Sequence, residues 1–151
     1  MIRRALASVA IAGLALMALA ACGSTGSNSS ARAAAETQTE TWISDAAQAV
    51  SSPSPSAQVK SSTFENCRND HGFFVTTSEW RQVVELKVPA SGQVDAQGGI
   101  ETAFRDRGWT AKTTSGILTL TGPKSARGQI RVESGGDSTL VIAAVSACYH
   151  S

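Results

Sequence analysis

The sequence predicts an α+β domain. It reads as a two-layer sandwich, with an antiparallel sheet of about four strands and two helices on one face, in the order α-β-α-β-β-β. Three observations predict this. Trp42, Ile43, Ala46, Ala47, Ala49 and Val50 recur at helical spacing. Trp80, Val84, Leu86 and Val88 share one parity of a β-rich run, while Arg81, Glu85 and Lys87 share the other. The last third of the chain alternates short β-branched runs with Gly-containing turns.

The first helix is expected from Glu36 onward, with Thr37 or Thr39 as its cap, and Pro53 and Pro55 end it because the residue before a proline avoids helical geometry. The strand over 73–88 has one buried face, and Val83 breaks its alternation. Pro89-Ala90-Ser91-Gly92 reads as a turn. A second helix follows over about 95–107, with Ile100, Ala103 and Phe104 on its apolar face and Glu101 placed to pair with Arg105. Gly98 and Gly99 weaken its first turn. Gly108 closes it as a left-handed cap, and Trp109 folds back onto the face. Strands are expected over 117–121, over 129–133 with Ile130 and Val132 inward, and over 140–147. The last is apolar at both parities and reads as a central strand covered on both faces.

Residues 1–21 read as a targeting leader, outside the fold. Arg3 and Arg4 precede an apolar run, and small residues close it at Ala20 and Ala21. The run is about 15 residues, short of the ~20 that a membrane-spanning helix needs. Residues 23–35, GSTGSNSSARAAA, contain no large apolar side chain and read, with Cys22, as a flexible tether over 22–35. The folded domain is expected over 36–151.

Composition excludes several functions. The 13 basic and 12 acidic residues leave a net charge of +1, which argues against a nucleic-acid partner. Aromatics are only 5% of the chain, too few for an aromatic-lined carbohydrate or base platform. No G-x-S-x-G, H-E-x-x-H, S-x-x-K or phosphate-binding glycine loop is present. Glu79, Glu85 and Glu101 read as solvated surface, and Trp42, Trp80 and Trp109 sit in patterns that suit core packing. No catalytic residue and no cofactor is assigned, and the domain is expected not to be an enzyme.

Leu19-Ala20-Ala21-Cys22 resembles the lipobox of bacterial lipoproteins. The resemblance implies cleavage before Cys22 and acylation of that cysteine, hence a covalent membrane-lipid anchor. One acyl chain binds a bilayer reversibly, whereas two or more hold stably. Removing Arg3 and Arg4 with the leader makes the remainder slightly acidic, and no polybasic run follows. Acyl chains rather than headgroup electrostatics would hold it. Arg107-Gly108-Trp109 and Ser146-Ala147-Cys148 are also similar to segments of small actinobacterial lipoproteins, a likeness that implies no activity.

In the oxidising compartment that such an anchor implies, Cys67 and Cys148 are expected to form a disulfide. His71 and His150 lie near the two cysteines in sequence. A metal site using them, with or without the sulfurs, is the weaker alternative. The leading expectation is a lipid-anchored, non-catalytic binding or assembly domain on the extracytoplasmic face of the cell membrane, with an envelope protein as partner. Metal handling through His71 and His150, or carriage of a small ligand or lipid, are the alternatives. The far face of the sheet, if open, would offer the contact surface; a flat polar sheet would favour protein contact, and a large apolar pocket a carrier.

Overall fold

The computed structural model describes residues 27–50, 57–68 and 74–150. The elements are α1 (Ser27–Ala49), β1 (Ala57–Arg68), β2 (Phe74–Lys87), α2 (Ala90–Arg105), β3 (Thr110–Thr114), β4 (Ile117–Thr121), β5 (Gln129–Ser134), β6 (Thr139–Val145) and β7 (Tyr149–His150). Six strands run in the antiparallel order β1-β2-β6-β5-β4-β3, and the two-residue β7 pairs with β2.

This corrects the expected four strands and the order α-β-α-β-β-β. The sheet is larger, and the chain runs α-β-β-α-β-β-β-β-β. The additions are β1, β3 and β7. β1 and β3 are edge strands, rich in Ser, Thr and Lys, and they bury little. An edge strand needs one hydrogen-bonded neighbour and no apolar face, so alternation does not mark it. β3 and β4 are joined by Ser115 and Gly116, both at positive φ (51° and 78°), the geometry of a two-residue hairpin turn.

Both helices pack on one face of the sheet. On that face Leu118, Val132, Ile142 and Val84 lie side by side across four strands, as do Leu120, Ile130 and Ala144 across three. Ile100 and Phe104 of α2 and Trp42, Ile43 and Ala46 of α1 complete the core. Fully burying an aliphatic side chain contributes roughly 1.5–3 kcal/mol, so this layer dominates the stabilisation. Trp109 meets Phe104 and Trp42 edge-on, at centroid distances of 5.1 and 5.0 Å. Gly108 has φ 81°, and beyond it the Trp109 N–H donates to the Phe104 carbonyl at 3.1 Å, which turns the tryptophan back onto the helix.

The first helix begins at Ser27, so nine residues that composition reads as tether are helical. Ala31, Ala33, Ala34 and Ala35 are strong helix formers, and Ala35 is buried. Thr37 and Thr39 therefore lie inside the helix and do not cap it. Thr39 is fully buried and donates its hydroxyl to the carbonyls of Glu36 (2.9 Å) and Ala35 (3.1 Å). The second helix begins at Ala90 instead of about residue 95. Pro89 is its extended N-cap, and buried Gln93 donates to the carbonyls of Val88, Gly136 and Thr139. Its buried stripe is Gln93, Ala96, Ile100 and Phe104, with Ala103 half-buried beside it.

The strand expected over 140–147 is central, as β6, but its second face is not covered. Leu140, Ile142 and Ala144 are buried, while Val141, Ala143 and Val145 are half-buried. Among the described residues nothing packs over them.

Gly98 and Gly99 sit in the middle of α2 and differ sharply. A Cβ on Gly99 would lie 2.6 Å from the Ala49 carbonyl oxygen at the end of α1, whereas a Cβ on Gly98 meets nothing within 4 Å. Gly99 lets the two helices touch. Gly98→Ala should raise stability by roughly 0.5–1 kcal/mol by removing chain entropy. Gly99→Ala should lower it by roughly 1–3 kcal/mol through overpacking. Urea midpoints of the two variants against wild type test this, and a fall for Gly98→Ala would refute the reading.

Candidate functional site

Two surface features flank the strand β2. The first is the corner where the chain's disulfide closes. Cys67 lies near the end of β1, at an irregularity in its register with β2, and is buried. Cys148 lies between β6 and β7 and is exposed. Their sulfurs are bonded, with Cα atoms 6.2 Å apart and 81 residues of separation. Ser146 shapes the approach to Cys148. Its N–H donates to the Trp80 carbonyl, and its hydroxyl oxygen accepts the Trp80 N–H, each at 2.9 Å. β7 then resumes pairing farther along β2, with Thr77 opposite His150 and Ser78 opposite Tyr149.

Glu79 stands beside this bond, with Oε2 3.7 Å from Cys67 Sγ. Directly across the ladder is Glu65, which pairs with Arg81 at 3.6 Å. Burial first, and the Glu65 charge second, push the Glu79 carboxyl above its ordinary value, and Arg81 only partly opposes them. A half-buried carboxyl of this kind holds its proton into a range where surface carboxylates have lost theirs.

On the other side of the sheet Phe64, Trp80 and Tyr149 cluster, with the Phe64 ring 4.2 Å from Trp80 and 6.3 Å from Tyr149. The Arg32 guanidinium of α1 stacks 3.7 Å over the Phe64 ring. Beside this cluster runs a groove of about 720 Å³, lined by Ala31, Ala34, Gln38, Ala147, Cys148 and Tyr149. It is shallow and open to solvent.

The second feature is the uncovered face of the sheet. Val83, Ala143, Val141 and Val145 form its half-buried centre. Charges surround them. Lys60 pairs with Glu85 at 2.8 Å, Arg131 pairs with Glu133 at 2.8 Å, and Arg81 and Lys87 are exposed. Val83, which breaks the alternation of its strand, faces this side opposite Ala143.

The structure brings Cys67 and Cys148 together as a disulfide. Cys22 and His71 lie outside the described residues. His150 pairs through its backbone with Thr77, and its side chain lies outside the described residues. The ligand atoms of Cys67, Glu79 and Cys148 all lie within 4.8 Å of one another. Metal binding requires thiolates, so while the sulfurs are bonded to each other this set holds no metal. The three glutamates considered as acid and base do not converge. Glu85 is paired with Lys60, Glu101 with Arg105, and Glu79 faces the disulfide. Trp42, Trp80 and Trp109 are all buried. The Glu65–Glu79 juxtaposition was not readable in advance, because it depends on a strand, β1, that carries no alternation signal.

No protein-family model, curated protein or solved structure matches the chain. Among the described residues no helix is long and apolar enough to cross a membrane.

Two measurements check this corner. Replacing both cysteines by serine should lower stability by about 4.5 kcal/mol from the loop entropy released, less whatever the unfolded chain retains. An unchanged urea midpoint would count against a structural bridge. Glu79 binds its proton more tightly folded than unfolded. Its contribution to stability is therefore present at low pH and is lost as pH rises from the ordinary glutamate range through the raised folded value. Glu79→Gln should remove that fall and raise the urea midpoint at neutral pH, and a variant with the wild-type pH profile would contradict it.

Proposed function

We propose that this chain is a lipid-anchored cell-envelope protein, held through acylated Cys22 on the extracytoplasmic face of the membrane. Its domain is a non-catalytic binding or assembly module that meets an envelope protein with the uncovered face of its sheet. The observation that carries the reading is the make-up of that face. An apolar centre of Val83, Val141, Ala143 and Val145 is rimmed by Lys60, Arg81, Glu85, Arg131 and Glu133. An apolar centre within a mixed-sign rim is the general plan of a protein contact surface.

Carriage of a small ligand or lipid is the second reading, favoured by the alanine-lined groove beside Tyr149. Ligands of that class are usually held in pockets that enclose most of their surface. This groove is open along its length, so protein contact is the better-supported reading. For the metal alternative, His71 and the His150 side chain lie outside the described residues, and the sulfurs of the Cys67, Glu79 and Cys148 cluster are bonded to each other.

Anchoring and contact separate experimentally. Cys22→Ala should move the protein from the membrane pellet to the soluble fraction, and full retention would defeat the anchor. A photo-crosslinker at Ala143, in the centre of the face, should capture a discrete adduct in intact cells. One at Val94, exposed on α2 away from the sheet, should not. Equal labelling at both positions, or none at Ala143, would count against the sheet face as the contact surface.

A further inference from the structure

The disulfide is asymmetric in a way that a purely structural bridge does not need. Cys67 is buried, whereas Cys148 is exposed and lines the open groove. The sulfur that is out of reach is the one with a carboxyl beside it, 3.7 Å from Glu79 Oε2. A disulfide sulfur carries no hydrogen, so any hydrogen bond at this contact runs from the protonated carboxyl to Cys67 Sγ. The geometry points to a thiol-exchange site at which a low-molecular-weight thiol adds to Cys148 and Glu79 delivers the proton to departing Cys67.

The step balances without a further reagent. An external thiolate attacks Cys148 Sγ and forms a new S–S bond there. The Cys67–Cys148 bond breaks, and its electron pair leaves on Cys67 Sγ. The Glu79 O–H gives its proton to that thiolate, leaving the carboxylate and a neutral Cys67 thiol. The external sulfur is oxidised and Cys67 is reduced. Exchange of this kind proceeds by thiolate attack, and its rate depends on which sulfur is accessible and how well the leaving thiolate is stabilised. A thiolate forming at a buried position is poorly solvated, so a proton donor at that sulfur is where assistance counts. Cys148 is exposed and lines a groove that is open to solvent and otherwise bordered largely by short alanine side chains, the side from which a small thiol would approach. The product is a mixed disulfide on Cys148, and the tie between β1 and the segment leading into β7 is released.

The sign of the pH dependence follows from the groups present. Protonated Glu79 assists the departure of Cys67, and ionised Glu79 repels the developing thiolate. Among the described residues, the charged groups facing Glu79 are Glu65 on β1 and Arg81 on β2. Tyr149 on β7 lies on the other side of the sheet, against Phe64, where burial raises its hydroxyl above the ordinary value and the Arg32 charge partly opposes this. The exchange rate per thiolate therefore falls as pH rises through the titration of Glu79.

The experiment uses the full chain carrying Cys22→Ala, so that Cys67 and Cys148 are its only cysteines. It is oxidised, then mixed with reduced glutathione as the probe and quenched with acid. Peptide mapping should place the glutathione adduct on Cys148. The rate per thiolate should fall about tenfold between roughly pH 4 and 8, while Glu79→Gln, with neither the proton to give nor the charge to repel, gives a flat profile between the fast and slow limits. Glu65→Gln keeps the carboxyl but removes its neighbour's charge, so the fall should move to lower pH. That variant keeps the idea testable should Glu79→Gln fold poorly. Adduct on Cys67, reaction only in unfolding concentrations of urea, or the same pH profile in all three proteins would each overturn the proposal. None of these outcomes depends on the sheet face meeting a partner, so the two readings stand or fall separately.

Discussion

The pairing of β2 with β6 is the constraint on which the rest of the structure depends. It joins residues 81–87 to residues 139–145, segments far apart in the chain, in an unbroken antiparallel register. Closing so long a loop is costly in entropy, and the return comes only when Leu86 meets Leu140 and Val84 meets Ile142 beneath the helices. The rest of the sheet builds outward from this pair. β1 folds back on β2, β5 and β4 extend from β6, and α1 lies across the buried side. The first turn of α2 is fastened by Gln93 to the start of β6 and the loop before it. The disulfide closes the far end of the same seam, where β6 gives way to β7.

What was legible in the sequence was whatever buries apolar surface. The α1 stripe from Trp42 to Val50, the even positions of β2 and the inward residues of β5 could be read because burial imposes a period on them. The cap at Gly108 could be read because left-handed backbone favours glycine. What burial does not mark was missed. β1 and β3 end the sheet with polar residues, and only the Ser115-Gly116 turn announces β3. The first turns of α1 were read as tether because small residues are compatible with both coil and helix. Tertiary contacts at Ala35 and Arg32 decide between them. Continuous apolar character in β6 suggested cover on both faces, but Val141, Ala143 and Val145 are small enough to remain half-exposed on an uncovered one. The disulfide was accessible from cysteine arithmetic alone. The carboxyl beside it was not, because its position depends on a register that only the fold defines.

The polar groups of the molecule divide by environment. Most ion pairs are exposed, such as Glu101 with Arg105 and Arg131 with Glu133, and pairs of that kind contribute little to stability. They keep the outer faces soluble and give the uncovered sheet a mixed charge pattern. Glu79 is different. It is a half-buried acid set opposite another acid, Glu65, in a cross-strand position where like charges disfavour pairing. A sheet that tolerates such a contact has given up some stability there. Burial and the Glu65 charge hold the Glu79 carboxyl above its ordinary value, and only Arg81 opposes them.

The two surface features are therefore linked by one strand. The even positions of β2 form the core, while its odd positions run Glu79, Arg81, Val83, Glu85 and Lys87 along the uncovered face. The series begins at the disulfide corner and passes through the apolar centre of the proposed contact surface. A change in the protonation of Glu79 alters the charge at one end of that surface. Opening the bond at Cys148 frees the short segment that holds β7 against the beginning of β2. The proposed exchange at the corner and the proposed contact face thus share one strand. A partner that contacts the Glu79 end would meet a different surface when the bond is open from the one it meets when the bond is closed.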